Sequence, residues 1–184
     1  MKTETFASHY EAQATVNAPA DLLFEYLDDF EQLGAHMTRS SWMMAGSKMR
    51  YEFDDGKGRR LGARVRLLGS FLGLKLEIDE RVIDREPARS KAWQTVENPR
   101  ILILARYRMG FSLRPLSDGS RLTAFIDYAL PEKGIGRLLG ALAGGVYARW
   151  CVRNILRQAK GHFGSAADEV ALRADFRQPS EKAR

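Results

Sequence analysis

Cysteine, histidine and long apolar runs are scarce in this 184-residue chain, and each scarcity excludes something. The single cysteine, Cys151, cannot close an intramolecular disulfide, so nothing points to an oxidising compartment. It has no CxxC partner, and His9, His36 and His162 show no His-x-x-x-His spacing. Neither a metal centre nor a redox centre is expected. No P-loop, no GxGxxG after a strand and no GxSxG occurs, and Gly134-Ile135-Gly136 is too short to cradle a phosphate. The expectation is therefore a protein without a bound cofactor. No stretch approaches 18 consecutive apolar residues, which argues against a spanning helix. Met1 to Tyr10 lacks an apolar core after Lys2, so no secretory signal is expected and a cytoplasmic location is the default. Acidic residues are missing from Lys133 to Phe163, where six basic ones stand: Lys133, Arg137, Arg149, Arg153, Arg157 and Lys160. The rest of the chain is neutral, so the whole net charge of +6 lies on that one segment.

What is present reads as one globular domain, with 45% hydrophobic and 28% charged residues. Tyr10, Ala12, Ala14 and Val16 alternate with polar residues as a half-buried strand. Asn17 can cap and Pro19 can open a helix bearing Leu22, Leu23, Tyr26 and Leu27, and Asp28-Asp29 separates it from a second short helix over 30–37. Strand-type alternation follows: Met49 to Phe53, Leu61 to Leu67, Leu74 to Asp79, Lys91 to Glu97, Ile101 to Leu113 and Leu122 to Leu130. Glu86-Pro87 and Asp118-Gly119 supply turns. The pattern is one strand, two short helices, about six further strands and a long helix (β-α-α-β6-α). That is an α+β fold with an antiparallel sheet of about seven strands covered by the last helix. Residues 1–7 and 165–184 read as tails around a domain over 8–164.

The phrase Ala14-Thr15-Val16-Asn17-Ala18-Pro19-Ala20-Asp21-Leu22-Leu23-Phe24-Glu25-Tyr26-Leu27-Asp28-Asp29 resembles the START-like (SRPBCC) superfamily. Arg85-Glu86-Pro87-Ala88-Arg89 between two strands and Gly119-Ser120-Arg121-Leu122-Thr123 at the last strand fit the same group. It includes the birch pollen allergen, lipid-transfer START domains and bacterial polyketide cyclase/dehydrase proteins. The resemblance covers roughly residues 8 to 164. It implies a helix-grip fold: a curved sheet wrapped round the C-terminal helix, with an apolar cavity between them. It leaves function open, because binding, transport and catalysis share that scaffold.

Tyr51, Phe53, Tyr107, Met109, Phe111 and Tyr128 share one inward parity, and Trp42, Met43 and Met44 precede the second strand. These are candidate cavity walls for a flat apolar ligand, or ordinary core. Glu80 falls on the apolar side of its strand, where a carboxyl is costly unless paired and is pushed toward general-acid range. A bulge or an exposed strand end is the alternative. His36 is the other candidate acid or base, at one end of the expected cavity. Asp127 falls on the opposite face and reads as solvated. Cys151 reads as a structural helix residue, with a thiolate among arginines as the alternative.

On a helical wheel, Ile135, Leu138, Leu139, Leu142 and Val146 form one apolar stripe. Arg149, Arg153, Arg157 and Lys160 continue that same sector, while Val152, Ile155, Leu156, Ala159 and Phe163 lie roughly opposite. One straight helix cannot bury both stripes, so a break at Gly144-Gly145 is expected, into segments of roughly 135–143 and 146–163. Leu138, Leu139 and Leu142 would then belong to a mobile lid over the cavity, beside a basic stripe suited to an anionic membrane surface. A solvated basic face is the alternative. Nucleic acid is disfavoured for want of interleaved exposed aromatics. The leading reading is a binder of a hydrophobic lipid-, quinone- or polyketide-like molecule. A cyclase or dehydratase working in the same cavity is the competing one.

Overall fold

A computed structural model of the chain describes residues 6–33, 49–71, 74–96 and 103–164. His36 and Trp42 lie outside the described residues. Seven strands form one antiparallel sheet: β1 (Ser8–Val16), β2 (Met49–Phe53), β3 (Arg64–Phe71), β4 (Leu74–Glu86), β5 (Ser90–Thr95), β6 (Arg106–Leu116) and β7 (Gly119–Ala129). Their order is β1-β7-β6-β5-β4-β3-β2, so every neighbour pair except β1–β7 is also consecutive in sequence. Helices α1 (Ala20–Asp28) and α2 (Phe30–Leu33) follow β1, and α3 (Gly134–Phe163) closes the chain across β1 and β7. This is the antiparallel α+β architecture that the alternation of strands implied, and the helix grip that the family resemblance implied.

The period-two pattern settles which side of each strand faces α3. Tyr10, Ala12, Ala14 and Val16 of β1 stand opposite Ile126, Ala124, Leu122 and Ser120 of β7. Small alanines on the edge strand leave room for the helix to settle against it. In β4, Ile78, Glu80 and Val82 face inward, and the register then shifts between Val82 and Asp84. The extra residue, Ile83, reverses the parity, so that Arg85 points inward to α1 and Asp84 points out. Two details differ from the expected pattern. Leu61 lies in the turn before β3 and is exposed, because the strand starts at Arg64. Ahead of β6 the inward residue is Leu104 rather than Ile103, since the chain enters the strand through a bend.

Helix α1 starts without the Asn17 cap: Pro19 occupies the capping position and its carbonyl accepts the amide of Leu23. Asp29 does separate the two short helices. Its Oδ1 accepts the amide of Glu31 at 2.9 Å, which caps α2.

The expected break at Gly144-Gly145 does not occur: α3 is one helix of 30 residues. The two stripes are reconciled differently. Gly140, Gly144 and Ala148, spaced four apart, form the inward face of the first half, in line with Cys151, Val152, Ile155 and Ala159 in the second. A β-carbon on Gly144 would sit 2.5 Å from Leu130, and one on Gly140 would sit 3.0 Å from the Ile103 carbonyl. The glycines thus serve close approach to the sheet's end, not a hinge. The leucine stripe is consequently turned outward. Leu138 and Leu142 are 62% and 72% exposed and are no lid.

Candidate functional site

Between the sheet and α3 lies a cavity of about 60 Å³. Its sheet wall carries Tyr51, Leu67, Ile78, Glu80, Trp93, Tyr107, Met109 and Ile126, all inward positions on β2 to β7. Tyr147, Cys151 and Ile155 line it from α3, and Phe30, Leu33 and Leu104 line it at the side. The lining is apolar except around Glu80.

Glu80 is 4% exposed. It accepts a hydrogen bond from the Tyr107 hydroxyl and another from the Trp93 side chain, whose indole N–H is its only donor. Burial pushes its carboxyl up from 4.5 to about 7, against the pull of those two bonds and of the Lys91 charge. Burial, then the Glu80 charge, holds the Tyr107 phenol well above its ordinary range. Tyr107 is itself pinned by Thr95, whose hydroxyl accepts the Tyr107 amide at 3.2 Å and donates back to its carbonyl at 3.3 Å. A second polar pair, Tyr147 and Cys151, faces them from α3. Burial pushes the Cys151 thiol up to about 12, so a thiolate nucleophile is not what this cysteine supplies. Tyr51 is also held above its ordinary value by burial and by the Glu80 charge. The cavity thus offers one carboxyl poised between its two forms and a set of neutral phenols, a donor-and-acceptor cluster in an apolar chamber.

The remaining sequence candidates fall elsewhere. Phe111 is buried against Phe24 at a ring separation of 5.9 Å, Phe53 stacks on Tyr51 at 5.7 Å, and Tyr128 packs in the core below α3. None of the three lines the cavity, nor do Leu138 and Leu142. Arg149 and Arg153 are exposed, whereas Arg157 is half-buried and donates to Asn154 at 2.6 Å. Asp127 does lie on the outer face, yet it is buried between Arg108 (2.7 Å) and His9 (2.6 Å) rather than solvated.

One cluster had no sequence signal. Lys91 is fully buried, donating to the Asp28 carbonyl at 2.6 Å and its carboxylate at 2.8 Å, with the Phe30 ring 4.1 Å away. Arg85 clasps the same carboxylate from the other side at 2.8 and 3.1 Å. Burial raises the Asp28 carboxyl, but the bonds from Arg85 and Lys91 outweigh it and hold it below the usual range. Burial also lowers the Lys91 ammonium to about 8, against the pull of Asp28. This clamp fixes the junction of α1 and α2, and so sets Phe30 and Leu33 at the cavity's side. Among the described residues, no group of three His, Cys, Asp or Glu side chains is placed to hold a metal ion, and no helix is long and apolar enough to cross a membrane.

Residues 8–163 match the model of a family described as polyketide cyclase/dehydrase and lipid transport. Several solved structures share the fold. The ZhuI aromatase/cyclase of a Streptomyces species is 22% identical, with 87% of this chain and 97% of that one covered and a TM-score of 0.57. Major latex-like protein 151 from Panax ginseng is 13% identical, covering 88% and 100%, with a TM-score of 0.56. A protein from Thermus thermophilus is 14% identical, covering 84% and 99%, with a TM-score of 0.58. At such identities the likeness is one of fold. No protein of curated function matches the sequence.

Proposed function

Because this chain belongs to the polyketide cyclase/dehydrase and lipid-transport family, we propose that it binds a hydrophobic small molecule bearing one hydrogen-bonding oxygen, in the cavity between sheet and helix. The observation that carries the reading is the buried Glu80–Tyr107 pair on an otherwise apolar wall. Apolar burial supplies the affinity, at roughly 25 cal/mol per Å² removed from water. Glu80 fixes the orientation: protonated it donates to a carbonyl, ionised it accepts from a hydroxyl. A void of about 60 Å³ holds only a few heavy atoms. A lipid-, quinone- or polyketide-sized ligand therefore has to widen the chamber by moving side chains that line it.

A second reading rests on the same carboxyl. With its proton held to about pH 7, Glu80 suits general-acid work on a carbonyl, as a cyclase or dehydratase requires.

Native mass spectrometry of the freshly purified protein, before and after organic extraction, tests binding. An extractable discrete adduct is expected. Calorimetric titration with 2-naphthol, a flat apolar phenol, provides a defined probe, and Glu80→Leu should weaken it about tenfold by removing the polar partner. No adduct and no heat of binding would sink the proposal. Glu80→Gln separates the two readings: it keeps a hydrogen-bonding side chain, so a carrier retains its ligand, whereas an enzyme loses turnover.

A further inference from the structure

The outward face of α3 carries apolar side chains that the fold does not use. Leu138, Leu142 and Val146 are 62%, 72% and 60% exposed, and they lie one turn apart in a single line about 12 Å long. The inward face is made by Gly140, Gly144, Ala148, Val152, Ile155 and Ala159, so the leucines contribute nothing to the packing of helix on sheet. The same line continues into exposed Arg149 and Arg153. No Asp or Glu occurs anywhere from Lys133 to Phe163.

We propose that this face of α3 docks the protein on an anionic lipid bilayer. The apolar half matches the acyl boundary and the arginine half matches the phosphate headgroups, both along one helix lying in the membrane plane. The charge pattern argues against a second copy as occupant. An antiparallel two-fold contact would press Arg149 and Arg153 of each copy onto the other's Leu142 and Leu138 with no carboxylate to meet them. A parallel contact would set arginine against arginine. The residues of this surface are distinct from those facing the cavity, so the docking face stands whatever occupies the chamber.

Vesicle co-sedimentation of the full chain tests the proposal, with phosphatidylcholine alone and with about a third phosphatidylglycerol, at low ionic strength. Binding to the anionic vesicles only is expected. Arg149→Gln and Arg153→Gln should each weaken it about fivefold, and Leu142→Glu at least about tenfold. Leu142→Ser should act in the same direction without adding charge. Leu61→Glu, at an exposed leucine in the turn before β3, should change nothing. Far-UV circular dichroism and melting identify any variant that fails to fold. Absence of binding, equal binding to both vesicle types, or binding that ignores Leu142 would overturn the proposal. So would a dimer in sedimentation velocity that Leu142→Glu dissociates, because the face would then be an interface between copies.

Discussion

Glu80 connects the cavity's chemistry to the stability of the fold. Its carboxyl moves from 4.5 to about 7 on folding, chiefly through burial. Its contribution is therefore fully present below about pH 4.5 and is lost as pH rises through 7, since the unfolded chain releases a proton that the folded one retains. The difference amounts to about 3 kcal/mol. Glu80→Gln cannot ionise, so relative to the wild type it should gain about that much between acid and mildly alkaline conditions. Urea unfolding of both proteins near pH 5 and near pH 8 checks this, with the effects of all other groups cancelling in the comparison. A gap that stays constant with pH would mean that Glu80 is not buried as an acid. The parity of β4 pointed to Glu80, because a charged residue interrupted an apolar face. Its partners could not be read in the same way: Tyr107 lies 27 residues on, and the pairing depends on β4, β5 and β6 falling into register.

Among the elements, α1 and α2 are held by charge where β-strands are held by their ladders. Removing Asp28 leaves Lys91 buried without its counter-ion, so Asp28→Ala should cost about 3–5 kcal/mol. Lys91→Met should cost less, because Arg85 still neutralises the carboxylate. The double variant should be more stable than the sum of the two losses implies, by at least about 1 kcal/mol. Additive losses in urea denaturation would show that the two groups do not interact. Strand positions were legible because alternation is local, and the turns at Pro87 and Gly119 are written in two or three residues. The clamp was not, since Lys91 and Asp28 are 63 residues apart and a lysine facing inward resembles any other strand lysine. Helix α3 defeats the pattern for a third reason. Periodicity finds two apolar stripes without saying which one turns inward. The deciding signal was the smallest residues, Gly140, Gly144 and Ala148, whose lack of bulk lets the helix approach the sheet.

For the molecule as a whole, a sheet curved round one helix leaves a space that the helix's small-residue face does not fill. The remaining void of about 60 Å³ costs about 1.4 kcal/mol at 24 cal/mol per Å³. That is a standing loss of stability in the unliganded protein, recovered when a ligand enters, and it makes binding and stability opposed properties of one volume. Cys151→Leu tests the opposition directly. Cys151 is buried on the α3 side of the chamber, and its thiol, held up to about 12, stays neutral with the Tyr147 side chain as its hydrogen-bond partner, a weak bond that the substitution gives up. Leucine adds apolar volume where the void lies, so the variant should gain about 1 kcal/mol. For a chain of this length that raises the melting temperature by roughly 2–4 °C. The same substitution should abolish 2-naphthol binding and the extractable adduct in native mass spectra. A lower melting temperature with binding unchanged would place the ligand elsewhere, because the side chain would then be straining a packed core and not filling a site. A higher melting temperature with binding lost is the expected outcome, because one side chain would then fill the volume that the ligand needs.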